Sequence, residues 1–146
     1  MRGREAEQPA LFSYVNLENR VPQKHPLRTI KTLVDKALKE LSPRFDEMYA
    51  CRGRPSIPPE RLLRALLLQI FYSIRSEELL MEQLDYNLLF RWFVGLGIDD
   101  KVWVPETFSM NRDRLMEGDV ARAFFDQILA EARSRDLVSD DHFTVD

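Results

Sequence analysis

The sequence is poor in cysteine and histidine. Its single cysteine, Cys51, cannot form an internal disulfide, and no His/Cys cluster stands at zinc spacing. A disulfide scaffold and a zinc module are therefore excluded, and a reducing cytosol is the default compartment. Long hydrophobic runs are missing as well. The most apolar stretch, Ala65 to Tyr72, is interrupted by Gln69 and falls well short of the about 20 residues that a membrane span needs. The start, Met1-Arg2-Gly3-Arg4-Glu5, runs into polar residues and lacks the apolar core of a signal peptide. There is no internal repeat and no net excess of positive charge, since 21 Lys and Arg stand against 24 Asp and Glu. The expectation is a cytoplasmic protein without a membrane segment.

What is present is a chain of 146 residues, 45 % apolar, which is enough for one core. Its charge is unevenly spread. Residues 1–75 hold 14 Lys and Arg against 8 Asp and Glu, a surplus of +6, while residues 76–146 hold 7 against 16, or −9. Such polarity is expected when one part faces a polyanion and another does not.

The periodicity is helical nearly throughout. Residues 1–24, with Pro9 and Pro22, read as an extended arm pinned by Leu11, Phe12, Tyr14 and Val15. From Pro26, the spacing of Leu27, Ile30, Val34, Ala37, Leu38 and Leu41 predicts an amphipathic helix. Ser42-Pro43 offers a cap and first-turn proline for a second, short helix bearing Phe45 and Met48. A linker follows at 51–58. Pro59 opens the next helix, whose Leu62, Leu63, Leu66, Leu67, Ile70 and Phe71 form a wide apolar face, as a central helix requires. Ser76 and Asn87 are caps for two further helices, the second carrying Leu88, Leu89, Trp92 and Phe93 inward and closed by Gly95. Residues 95–105 read as a loop. Thr107 caps a helix with Phe108 and Leu115, and Gly118-Asp119 separates it from a last helix with Val120, Ala123, Phe124, Ile128 and Ala132. Only at the end does the period change to two: Phe143 and Val145 point one way, and His142, Thr144 and Asp146 the other. The fold expected is all-α, ending on a short C-terminal strand. A lone strand cannot satisfy its own backbone, so the chain reads as cut off.

Several separated stretches carry a resemblance. They are Gly53-Arg-Pro-Ser-Ile-Pro-Pro-Glu60, Leu62-Leu-Arg-Ala-Leu-Leu-Leu68, Ser73-Ile-Arg-Ser-Glu-Glu78, Leu84-Asp-Tyr-Asn-Leu-Leu-Phe-Arg-Trp-Phe-Val-Gly-Leu96, Thr107-Phe-Ser-Met-Asn-Arg-Asp-Arg-Leu115 and His142-Phe-Thr-Val-Asp146. Together, from about residue 25 to the end, they resemble bacterial transposases of the insertion-sequence-five family. The resemblance implies a helical N-terminal domain, here 25–136, preceding a ribonuclease-H-like catalytic domain of which 137–146 would be the first strand. It implies three metal-binding carboxylates in the order Asp, Asp, Glu, with Asp146 the first catalytic and metal-binding one. An intact enzyme of this type would use Mg²⁺. Two-metal phosphoryl transfer needs several carboxylates on a rigid sheet, holding ions about 4 Å apart. With Asp146 alone, this chain is expected to bind no cofactor and to cut no DNA. Its implied partner is DNA, at the terminal inverted repeats of the element, with a homodimer as a further possibility.

Candidate DNA contacts follow from residue type. Arg52-Gly53-Arg54 has the form of a minor-groove hook, in which glycine lets the backbone approach and arginines enter the narrow groove; a solvated linker is the other reading. Arg61 and Arg64 lie at the start of the central helix and could extend one basic surface. Residues 59–72 and 76–86 have helix-turn-helix spacing, but Glu77, Glu78, Glu82 and Asp85 on the second would be repelled by phosphates. The segment 107–117 is the better reader, through Asn111, Arg112 and Arg114, although Arg114 could instead pair with Asp113 or Glu117. Trp92 and Phe93 read as core, and His25 and His142 as solvent-facing. An alternative function is a helical interaction module, with residues 76–135 pairing with another subunit, or an inert remnant of a transposase gene.

Overall fold

A computed structural model describes residues 2–5, 12, 14–48 and 57–135. Among these residues the secondary structure is helical: α1 (Leu17–Arg20), α2 (Pro26–Met48), α3 (Pro59–Phe71), α4 (Glu77–Tyr86), α5 (Leu88–Val94), α6 (Pro105–Met116) and α7 (Asp119–Ser134). The all-α expectation holds for them. The strand expected at 142–146 lies outside the described residues.

The central position of α3 follows from its composition. Leu62, Leu63, Ala65, Leu66, Leu67, Leu68 and Phe71 are all buried, so the helix is covered on most sides. It packs against α2, α5 and α6, while α7 lies along α2 and against α6. Ile70, expected inward, is 48 % exposed, because it faces the space between α3, α6 and α7. In α7 the inward residues include Ala121 and Phe125, and Ala123 is exposed.

Two boundaries differ from the sequence expectation. Ser42-Pro43 does not start a new helix; α2 runs through it to Met48. Proline lacks an N–H and crowds the preceding turn. Here Leu38 and Phe45, two turns apart on one face, are both buried, so tertiary packing carries the helix across. Likewise α6 begins at Pro105 rather than at a Thr107 cap, the ring serving as the first helical residue. The caps at Ser76 and Asn87 are formed as expected, their side chains accepting the N–H groups of Leu79 and Phe90, each at 3.1 Å. Gly95 ends α5 at φ +95°, a conformation for which glycine carries no Cβ penalty.

The arm before α2 is partly helical, and its anchors differ from those expected. Phe12 and Tyr14 are exposed, Val15 is half-buried, and Leu11 lies outside the described residues. Val21 is buried instead, and Glu18 on α1 accepts the indole N–H of Trp92 at 2.6 Å and pairs with Arg28. Arg28 also donates to the carbonyls of Glu18, Val21 and Pro22. These bonds hold the Glu18 carboxyl below its ordinary value, the Trp92 bond first and the Arg28 bond second. Trp92 is buried as expected, with the Arg28 and Lys31 cations 5.1 and 5.6 Å from its ring centroid.

Candidate nucleic-acid interface

The structure places the sequence-derived contacts in different settings. Arg64 points from α3 to Asp35 on α2, with an N–O distance of 2.7 Å, and Asp35 also accepts from Lys31 at 3.1 Å. The side chain of Arg64 is only 17 % exposed. It clamps two helices together. Arg112 pairs with Glu77 at the first turn of α4 and with Asp113 at 3.0 Å, tying α6 to α4. The acid expected to repel phosphate at Glu77 is thus engaged with a neighbouring helix.

Asn111 is likewise engaged. Its side-chain oxygen accepts the backbone N–H of Ile57 at 3.2 Å, and its nitrogen donates to the carbonyl of Thr107 at 2.8 Å. Ile57 is buried, so this bond satisfies a donor that water does not reach easily. The contact matters for the site because Ile57 is the first described residue after the segment bearing Arg52 and Arg54. The other end of that segment leaves from Met48, whose methyl group lies beside Gly118, close enough that a Cβ there would meet it at 3.2 Å. Met48, Arg114, Glu117 and Gly118 line one shared hollow. Both ends of the segment are therefore fastened to α6 and the turn following it, one near Asn111 and the other near Arg114.

Arg114 is exposed and lies three residues from Asn111, so the two belong to one helix face. Arg61, half-buried in the first turn of α3, starts one turn beyond Ile57 and has no ion pair among the described residues. Asn111 and Arg114 are brought together with the flanks of the Arg52–Arg54 segment, whereas Arg64 and Arg112 are directed to acids inside the fold. Arg52, Arg54 and Asp146 themselves lie outside the described residues.

Sequence reasoning missed two side chains that hold the fold elsewhere. Arg91 is 4 % exposed, and its guanidinium donates to the carbonyls of Asp85 (3.0 Å), Gly97 and Asp100 (2.9 Å), with the Asp85 carboxylate 3.8 Å away. A buried cation requires such partners, and here they fix the loop after α5. Its one signal is a lone charge in the apolar run Leu88–Val94. His25, read as solvent-facing, is half-buried and caps α2: its Nδ1 accepts the N–H of Leu27 at 3.1 Å. Burial first, and the Arg28 charge second, lower its pKa.

Among the described residues no three His, Cys, Asp or Glu side chains come together as a metal site, so none there fits the Mg²⁺ implied for an intact enzyme. Nor is any helix among them long and apolar enough to cross a membrane.

A family model described as Transposase domain (DUF772) matches residues 15–114, a span that includes α1 to α5 and most of α6. Comparisons with curated proteins and with solved structures give no match.

Proposed function

The chain belongs to the transposase-domain family matched over residues 15–114, and on that premise we propose that it binds DNA at the ends of a mobile element. The finer assignment is to the N-terminal region of a DDE-type transposase of the insertion-sequence-five family, with residues 25–136 as the helical domain and 137–146 opening the catalytic sheet. The observation that carries the reading is the fastening of both flanks of the Arg52–Arg54 segment to α6 and its following turn, through Ile57–Asn111 and Met48–Gly118. A segment whose two flanks are anchored loses less entropy on binding a duplex than one whose flanks are free. In this assignment Arg52, Arg54, Arg61 and Arg114 touch the duplex. Asn111, Arg64 and Arg112 hold the surface in place.

The same reading leaves strand cleavage to the carboxylate set that begins with Asp146, and no catalytic step is assigned to the described residues. A mobility-shift titration tests the binding role: a duplex carrying a terminal inverted repeat should be retained ahead of a shuffled one of equal length. Equal retention of both removes the specificity, and retention of neither removes the function. Incubation of supercoiled plasmid with the chain and Mg²⁺ should leave it closed; nicking that co-purifies with the protein overturns the non-cleaving assignment.

A second reading, in which the helices after residue 76 pair with another copy of the chain, draws on the exposed apolar side chains Leu79, Tyr86, Met110 and Met116.

A further inference from the structure

Between α3, α6 and α7 lies an open groove of about 330 Å³, lined by Leu66, Ile70, Met116 and Phe125 with the arginines Arg112 and Arg122. Ile70 and Met116 are 48 % and 45 % exposed, so its apolar floor is uncovered. Arg122 has no acidic partner among the described residues. Arg112 does have one, and its partner Glu77 is the first residue of α4, so α4 begins at the edge of this groove.

The outward side of α4 has complementary character. Glu78, Leu79, Glu82 and Tyr86 are all exposed there. Glu78 and Glu82 lie one turn apart, where like charges repel, and neither has a basic partner among the described residues.

We propose that a second copy of the chain docks in this groove through the exposed side of its α4, each copy giving and receiving the same contact. Leu79 of the second copy then covers Ile70 and Met116, and Arg122 enters between Glu78 and Glu82. Two observations select this occupant. The first is charge: the groove carries an arginine without an acid, and the helix carries two glutamates without a base. The second is adjacency, because the groove and α4 meet at the Arg112–Glu77 bridge, and a patch that sits beside its own complement suits a two-fold, self-complementary interface. The inference rests on the reading in which the helices after residue 76 pair with another copy.

Sedimentation equilibrium of the whole chain at low salt tests it. The wild-type chain should form a dimer. R122E and E78K/E82K should each weaken dimerisation by about tenfold or more, since like charges then meet across the interface. The combined variant R122E/E78K/E82K should recover most of the loss. M116D, at an exposed position, should weaken it too while far-ultraviolet circular dichroism stays unchanged. A dimer that none of these variants disturbs overturns this surface but leaves the pairing itself. A chain that stays monomeric at every concentration overturns both, and loss of dimer only in variants that have also lost helix overturns the surface alone.

Discussion

The side-chain oxygen of Asn111 accepts the backbone N–H of Ile57 across 54 positions of sequence, at 3.2 Å. The bond joins the residues just before α3 to the middle of α6, and so fixes the position of Ile57, the first described residue after the segment bearing Arg52 and Arg54. Replacing Asn111 with alanine leaves a buried N–H unsatisfied, which should cost about 1–3 kcal/mol. Asn111→Asp keeps the acceptor for Ile57 but loses the donor to the Thr107 carbonyl, so it should recover only part of that stability. Urea unfolding of both variants checks the pair. Equal losses in the two would mean that Asn111 acts otherwise than as an acceptor.

Arg64 and Asp35 make the corresponding clamp between α2 and α3. Arg64→Ala should lower stability by about 1 kcal/mol, the magnitude of a part-exposed ion pair with good geometry, while leaving DNA affinity close to that of the wild type. Asp35→Ala should cost at least as much, because it strands a guanidinium whose Nε is already buried without a hydrogen-bond partner among the described residues. Thermal melts and duplex titrations on the same preparations separate these effects.

His25 makes the start of α2 sensitive to pH. Its neutral ring accepts the Leu27 N–H, and its pKa in the fold lies below the ordinary 6.5. A group whose folded value is depressed contributes stability that is present above its unfolded value and is lost as pH falls through the folded one. Protection of the Leu27 amide against hydrogen exchange should therefore fall as pH drops below about 6.5. H25N, a non-titrating cap, should remove that step. Persistence of the step in H25N would exclude the imidazole as its source. A separate, more acidic step belongs to Glu18, whose contribution is present above its ordinary 4.5 and lost below it as the Trp92 and Arg28 bonds give way.

These residues also mark what the sequence could reveal. Local signals were legible: Ser76, Asn87 and Gly95 act within a few residues of themselves, and the leucines of α3 repeat at helical spacing, so pattern was sufficient. The continuity of α2 through Pro43 was not, because it depends on Phe45 meeting a core that other helices build. The candidate interface was legible in residue type and only partly in role. Arg61, Arg64, Asn111, Arg112 and Arg114 all suit DNA contact by chemistry, and distant partners such as Asp35, Glu77 and Ile57 give Arg64, Arg112 and Asn111 a structural role that no local pattern encodes. Arg91 illustrates the same limit, since its carbonyl partners at Gly97 and Asp100 come from a loop whose path no period encodes.

In the proposed interface Arg52, Arg54, Arg61 and Arg114 meet the duplex while Arg64 and Arg112 do not. Its most direct measurement is the dependence of the duplex binding constant on salt concentration, for the wild type and for single alanine variants. About four phosphates neutralised gives a log–log slope of roughly −3.6. R52A, R54A, R61A and R114A should each reduce its magnitude by about 0.9, and R64A and R112A should leave it unchanged. A slope near zero in the wild type, or a loss with R64A and R112A as large as with the other four, would overturn this assignment of the arginines.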